Sequence, residues 1–424
     1  MGIAGITAQI EVEALRVGMF IHLDVGWMSH PFPLSSFKIV SADQIATIRS
    51  LGLKRVRWSP EHSDAEGPAV TLTLVTQPGQ LRAAPVETAE AAARRERREA
   101  LAAQRADLNL CERQFAEATR ECRQLTDLVV PAPAAACERA QALSRSFVSK
   151  MMVEQDLCIR LLSEAAGDKA AAHAVNVTLI SLLMGRAFGF GESEMLDLGV
   201  GSLLHDVGKL DLPDRVRHRE DHFSASEAKY YEEHVTHGVA HSRRMGLSAG
   251  ATLVVAQHHE HSDGSGFPLR IGSDRMTPAS RIVALVNRYD NLCNPHIPSK
   301  ALTPHEALSL LFAQGKHKFD TAILGAFIKM MGVYPPGSIV QLTDDRFAVV
   351  VGVNSSRPLK PRVLVHDTKV PADEALIVNL ERTQNLGIRR SIKPCALPRE
   401  ALDYLSPRPR VAYFFEPARE LEAA

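Results

Sequence analysis

The placing of histidine constrains this chain more than any other feature of its sequence. Of 17 histidines, ten fall between residues 173 and 261: His173, His205, His218, His222, His234, His237, His241, His258, His259 and His261. Around them apolar residues recur three and four apart, over 175–184, 195–204 and 279–286, which is helical periodicity. His173 stands 32 residues before His205, His234 stands 28 after Asp206, and His258 stands 24 after His234. Each interval is about one helix with its connection. The spacing therefore puts one inward imidazole, or one pair, on each of several antiparallel helices, as bundles do when they build metal sites. Neutral imidazole is the commonest protein metal ligand.

The strongest local signal is His205-Asp206-Val207-Gly208-Lys209. Adjacent His and Asp cannot share one helix face, but near a helix end both reach one ion. A carboxylate can also bridge two cations, which an imidazole cannot. Lys209, one turn along, is placed to sit beside a phosphate. His234 lies in Glu232-Glu233-His234-Val235-Thr236-His237-Gly238. His258 and His259 open the run His258-His259-Glu260-His261-Ser262-Asp263-Gly264-Ser265-Gly266-Phe267-Pro268, and Asn287-Arg288-Tyr289-Asp290 follows after another helix. His237 and His241 share roughly the face of His234 and read as surface or hydrogen-bonded side chains. His218, His222 and His261 read as solvated. Glu260 and Asp263 read as partners that orient the imidazoles, and Gly264 and Gly266 as turn glycines.

A length of 424 residues suggests two or three domains. Lys plus Arg and Asp plus Glu are both 49, so the chain is neutral and is not held on a nucleic-acid polymer by bulk charge. Six cysteines without a CxxC pair exclude a disulfide scaffold and a Cys-based zinc site. No signal peptide is evident. The apolar run 175–190 is interrupted by Asn176, Thr178, Ser181 and Arg186 and reads as too short and too polar for membrane insertion. A soluble, cytoplasmic protein is expected.

Residues 1–80 read as a small α+β domain, with strands at 10–15, 19–23, 37–40, 56–58 and 70–75 and a helix at 42–51. Residues 85–130, free of Pro and Gly from Glu87 until Pro131, read as a long exposed linker helix, whose 85–128 stretch offers a homodimer seam. Residues 138–370 read as an all-α domain of about eight helices with a β tail, the Asp344-Asp345 pair forming a hairpin turn. Residues 371–424 read as a C-terminal extension with a mobile end. The fold class is mainly α.

The motifs His205-Asp206-Val207-Gly208-Lys209, His234-Val235-Thr236-His237-Gly238 and the His258-to-Pro268 run resemble the HD-GYP branch of the HD superfamily of metal-dependent phosphohydrolases, over about residues 168–351. Leu15-Arg16-Val17-Gly18-Met19 and Trp27-Met28-Ser29-His30-Pro31-Phe32 resemble the N-terminal domain often fused to it. The resemblance implies an HD-type helical domain and a bacterial phosphodiesterase for cyclic-di-GMP, giving pGpG and in some members GMP. It implies His173, His205, Asp206, His234, His258 and His259 as ligands, with Asp206 bridging two metals. Iron or manganese is expected, with zinc possible. Lys209 would contact the scissile phosphate or protonate the leaving oxygen. Asp290, Gly266, Phe267 and Pro268 would contact substrate.

Four positions depart from the family pattern. Asn287 stands where an Asp ligand is expected, which predicts weaker binding at one metal. The basic Arg-Pro-Tyr-Arg stretch of the family aligns with His296-Ile297-Pro298-Ser299, leaving only Lys300 nearby. The signature tyrosine is Phe267. Lys169 replaces the Glu of trinuclear members, so two metals are expected. Positive side-chain charge at the site is therefore expected to be scarce. Two other readings follow: a non-catalytic regulator that binds the nucleotide or a protein, and an HD hydrolase of another phosphoester. The segment after the double His argues against the latter.

Overall fold

The computed structural model describes residues 8–23, 25, 32, 36–64, 88–153, 156–163, 168–218, 223–354, 357–383 and 385–418. The expected strand at 70–75, the stretch from Trp27 to Pro31, and His222 lie outside the described residues. The chain divides into two units, residues 1–99 and 100–424.

The first unit holds an antiparallel sheet of four strands, β1 (Ala8–Glu11), β2 (Phe20–His22), β3 (Ser36–Lys38) and β4 (Arg55–Ser59), in the order β1-β4-β2-β3. Helix α1 (Ala42–Ser50) is started by the Ser41 side chain, which accepts from the Gln44 backbone N–H. Ile21, Ile39 and Ile48 are fully buried between sheet and helix. The first expected strand is shorter than its apolar run: from Val12 to Ala14 the chain turns into a 3-10 helix that drops Val12 into the core.

Helix α2 (Ala89–Leu128) runs 40 residues, from the first unit into the second. It is not exposed throughout. Cys111, Phe115, Ala118, Cys122 and Leu125 recur three and four apart and are buried in the second unit. The apolar stripe of this half is thus covered by the chain itself rather than left as a dimer seam.

Eight helices follow among the described residues: α3 (Pro133–Val153), α4 (Lys169–Ala187), α5 (Glu192–Leu203), α6 (Ala225–Met245), α7 (Ala249–Gln257), α8 (Pro278–Cys293), α9 (Pro304–Gln314) and α10 (Thr321–Met331). Side chains of Asp168, Ser224, Ser248, Thr277, Thr303 and Asp320 cap six of their N-termini. α4 sits at the centre, packed on α5 and α8. By length and composition α4 passes for a membrane span, contrary to the sequence reading, but 78% of its most apolar window is buried in the domain. It is a core helix.

The second unit also contains a seven-stranded antiparallel sheet. β5 (Leu157–Leu161), β6 (Ile339–Leu342), β7 (Phe347–Asn354), β8 (Arg362–Val365), β9 (Ile377–Asn379), β10 (Ile388–Ile392) and β11 (Tyr413–Pro417) take the order β10-β6-β7-β5-β11, with β8 on β7 and β9 on β8. The hairpin between β6 and β7 turns at Asp345, whose φ is +70°. Helix α11 (Arg399–Leu405) precedes β11. The expected separate C-terminal extension is corrected here. Its strands complete the sheet, and Tyr413, Phe414 and Phe415 are buried. Glu416 on β11 accepts from Arg362 on β8 at 2.9 Å and lies 3.5 Å from Arg160 on β5, so a buried charge triad joins three strands.

Candidate metal centre

Four helices converge on one carboxylate. α4 supplies His173. α5 ends at Leu203, and the chain then turns sharply so that His205 and Asp206 both face inward before a 3-10 turn, Val207–Asp211. α6 supplies His234, and the end of α7 supplies His258 and His259. Gly208 permits the close docking of this turn on α6. A Cβ there would lie 1.9 Å from the His234 carbonyl oxygen and 2.3 Å from the Gly238 nitrogen.

Each oxygen of Asp206 faces a pair of imidazoles. Oδ2 lies 3.7 Å from His173 Nε2 and 3.5 Å from His205 Nε2. Oδ1 lies 3.6 Å from His234 Nε2 and 3.5 Å from His258 Nε2. The far side of every ring is engaged. Nδ1–H of His205 donates to the Ser202 carbonyl at 2.7 Å, that of His234 to Tyr231 at 2.5 Å, and that of His258 to Val255 at 2.8 Å. His173 Nδ1–H donates to Asp290 Oδ2 at 2.6 Å. Because carbonyl and carboxylate oxygens only accept, the four Nε2 atoms carry bare lone pairs toward the centre.

Bare lone pairs repel, yet His173 Nε2 and His205 Nε2 are 3.2 Å apart and those of His234 and His258 are 3.4 Å apart. Two nitrogens about 2.0–2.1 Å from one ion, at angles from square to tetrahedral, stand roughly 2.9–3.4 Å apart. Both pairs therefore fit a cation between them. Asp206 Oδ1 and His259 Nε2 are buried without a hydrogen-bond partner, which is costly unless an ion satisfies them. The donors form two groups with atoms within 4.8 Å of one another: Asp206, His234, His258 and His259, and His173, His205 and Asp206.

The electrostatics suit a cation. Burial holds His205 and His259 neutral by lowering their proton affinity, and pushes His234 down to about 3. Burial disfavours the charge on Asp206, but Lys209 and the imidazoles outweigh it and hold the carboxyl well below its usual range. Lys209 Nζ lies 2.6 Å from Asp206 Oδ2. Burial opposes its charge too, but Asp206 outweighs burial and keeps it an ammonium.

Residues 139–323 match the HD domain family, and residues 7–140 match a domain of unknown function, DUF3391. The cyclic di-GMP phosphodiesterase PA4108 of Pseudomonas aeruginosa is 26% identical over 381 residues, covering 87% of this chain and 88% of that protein. The 3'3'-cGAMP-specific phosphodiesterase 2 of Vibrio cholerae is 32% identical over 164 residues, covering 38% and 31%. The chain thus carries an HD domain, and its relatives named as cyclic di-GMP phosphodiesterases support the HD-GYP resemblance. A solved structure, Bd1817 from Bdellovibrio bacteriovorus, described as an HDG"Y"P protein, is 13% identical, covers 76% of this chain and 98% of that one, and has a TM-score of 0.41.

Against the HD-GYP pattern the site has particular substitutions, and the structure places each. Asn287 is buried, and its Oδ1 accepts from Asn291 Nδ2 at 2.6 Å. Asp290, expected at the substrate, is also buried. Besides His173 it accepts from Asn176 and Asn294, each at 3.0 Å, so it orients His173 from the cavity wall. Phe267 stacks on His259, with centroids 4.4 Å apart at 24°, and Gly266 is buried against the backbone of 259–261, where a Cβ would lie 2.5 Å or less from three backbone atoms. Pro268 is exposed and does not line the cavity. Glu260 does not orient an imidazole. Its two oxygens accept backbone N–H groups of Leu269, Arg270 and Ile271 and pin the loop.

The cavity over the site is about 1500 Å³. It corrects the expected scarcity of positive charge. Its lining includes Arg123 from α2, Lys169 from α4, Lys209 beside Asp206, Arg288 from α8, Lys318 from the α9–α10 loop and Arg410 from the C-terminal segment. No run of basic residues announced this, because each element gives one. His218 is not simply solvated either. It stacks on His296, with centroids 4.1 Å apart at 10°, and both line the cavity. His261 also lines it, while His237 and His241 face Asp211 at 3.7 and 2.8 Å and stay outside.

Proposed function

We propose that this chain is a metal-dependent phosphodiesterase that opens cyclic-di-GMP to pGpG, and in a second step to GMP, at a dinuclear His/Asp site. The observation that carries the reading is Asp206, with each oxygen facing two imidazole nitrogens that bear bare lone pairs. The relatives named as cyclic di-GMP phosphodiesterases support the substrate.

His173 and His205 would hold one ion, and His234, His258 and His259 the other, with Asp206 shared. Nitrogen and carboxylate donors favour iron or manganese, with zinc the alternative, over magnesium or calcium. Two such ions neutralise phosphate oxygens and acidify a water for attack on phosphorus. Asp206 faces both imidazole pairs at once. Lys209, kept protonated beside it, donates to a phosphate oxygen and can pass its proton to the departing ribose oxygen. Asp290 holds His173 in the tautomer that presents Nε2. Phe267 and Gly266 form an apolar wall beside His259.

The test is metal content and cyclic-di-GMP turnover measured on one sample loaded with Mn²⁺ or Fe²⁺. Turnover that disappears in Asp206→Ala is expected; loaded protein that leaves the nucleotide intact overturns the reading. Asn287 favours the second reading, a regulator that binds the nucleotide without cleaving it. A neutral amide already capped by Asn291 stands where a carboxylate would offset cation charge. Tight calorimetric binding without turnover would select it. The stretch 89–103 of α2 is the part open to a homodimer contact.

A further inference from the structure

Five cations line the cavity and make no ion pair among the described residues: Arg123, Lys169, Arg270, Lys318 and Arg410. Four of them are exposed, and only Arg410 is half-buried. Water can screen the other four. A half-buried guanidinium with no carboxylate beside it is suited to an anion that arrives with the ligand.

The segment that presents Arg410 is built to hold still. The next residue, Val411, has its carbonyl gripped by the side-chain amides of Asn176 and Asn294 at 3.1 and 2.9 Å. Its N–H donates to Asn294 Oδ1 at 2.9 Å, and the Tyr413 N–H donates to Asn176 Oδ1 at 3.0 Å. The same two asparagines donate to Asp290, which holds His173. Arg410 is thus tied, through one asparagine layer, to a metal-site imidazole. This segment lies beyond the matched HD domain, which stops at residue 323.

We infer that Arg410 is a substrate-binding residue that takes the second, non-reacting phosphate of a cyclic dinucleotide while the first lies at Asp206. The inference rests on the phosphodiesterase reading for its substrate. A cyclic dinucleotide carries two phosphodiesters about a ring, and one dinuclear site accepts only one of them. Arg410 stands in for basic residues that the His296-Ile297-Pro298-Ser299 stretch lacks. The planar guanidinium gives two parallel N–H donors to a phosphate.

The experiment compares wild type, Arg410→Ala and Arg410→Lys, loaded with Mn²⁺, on cyclic-di-GMP and on bis(p-nitrophenyl) phosphate, which has one phosphodiester. Loss of a charge-assisted contact predicts a KM for cyclic-di-GMP raised roughly ten- to hundred-fold in Arg410→Ala. Arg410→Lys recovers part of that. The loss on the dinucleotide exceeds the loss on the single phosphodiester at least ten-fold. Equal losses on both substrates, or none on the dinucleotide, overturn the inference. Calorimetry with inorganic pyrophosphate gives a second reading that needs no turnover. If wild type fails to cleave or bind cyclic-di-GMP, the phosphodiesterase reading falls. Weakened pyrophosphate binding in Arg410→Ala would then still uphold Arg410 as an anion site, and unchanged binding would end that as well. Thermal unfolding of each variant separates these outcomes from misfolding.

Discussion

Replacing Asp290 by Asn tests the chain of contacts behind His173. Asp290 receives three donors: His173 Nδ1–H on Oδ2 at 2.6 Å, and the amides of Asn176 and Asn294 on Oδ1 at 3.0 Å each. An asparagine has one acceptor oxygen, so one side must face an NH₂. If the NH₂ faces the two amides, both asparagines must flip. Flipping breaks their bonds to Val411 and Tyr413, where each donates to one backbone group and accepts from another. Turning the NH₂ toward His173 costs less. His173 must then accept at Nδ1, and its proton moves to Nε2, the atom that faces Asp206. A substitution that changes one atom therefore removes a metal-facing lone pair. Losing an orienting partner of a ligand histidine typically lowers metal affinity 10- to 100-fold, or about 1.4–2.8 kcal/mol at 1.4 kcal/mol per decade. The assay is Mn²⁺ titration of metal-free protein by calorimetry, with thermal unfolding as the folding control. Folded Asp290→Asn protein that binds Mn²⁺ within three-fold of wild type would refute the tautomer argument.

Asn287→Asp restores a carboxylate that Asn291 already bonds, and should raise Mn²⁺ affinity several-fold; a competition titration that shows no gain removes Asn287 as the weak point. Gly208→Ala sets a methyl 1.9 Å from the His234 carbonyl, where only the backbone can give way, so about 1–3 kcal/mol of stability and the metal affinity should fall together in denaturant and metal titrations. Lys150 is fully buried on α3, and burial pushes its ammonium down to about 7, with Glu117 offsetting only part. Between pH 7 and its unfolded value the unfolded chain binds the extra proton, so this group makes stability rise with pH. Lys150→Met should stabilise near pH 6–7, and its advantage should shrink toward pH 10; an advantage that denaturant curves show to be independent of pH contradicts the buried charge.

The imidazoles of the site were legible because helix-length spacing is a one-dimensional signal, and Asp206 because a carboxylate beside His can bridge. The tie between Asp290 and His173 was not legible because the two are 117 residues apart, and nothing local in Asn287-Arg288-Tyr289-Asp290 marks which way the side chain turns. Strand β5 was missed because all five of its residues are buried. It shows no alternation, and its pairing partners lie at the far end of the chain. The positive lining of the cavity was invisible for a related reason: charge collected from six elements makes no cluster in sequence. The long helix was taken as exposed because its charged half is richer in signal than its buried half.

The asparagine layer that grips Val411 also sets a timetable. Asn294 and Val411 are separated by 117 residues, which at synthesis rates of 5–20 residues per second take about 6–23 s to make. Until then Asn176 and Asn294 lack their backbone partners, and β5 lacks β11 on one edge. The helices that carry the histidines can pack early, but the layer that aligns His173 closes only when the C-terminal segment docks. A nascent or truncated chain would therefore hold its histidines close together without holding them in register. Alignment of His173 would then be a late event in folding, coupled to the last strand rather than to the helices.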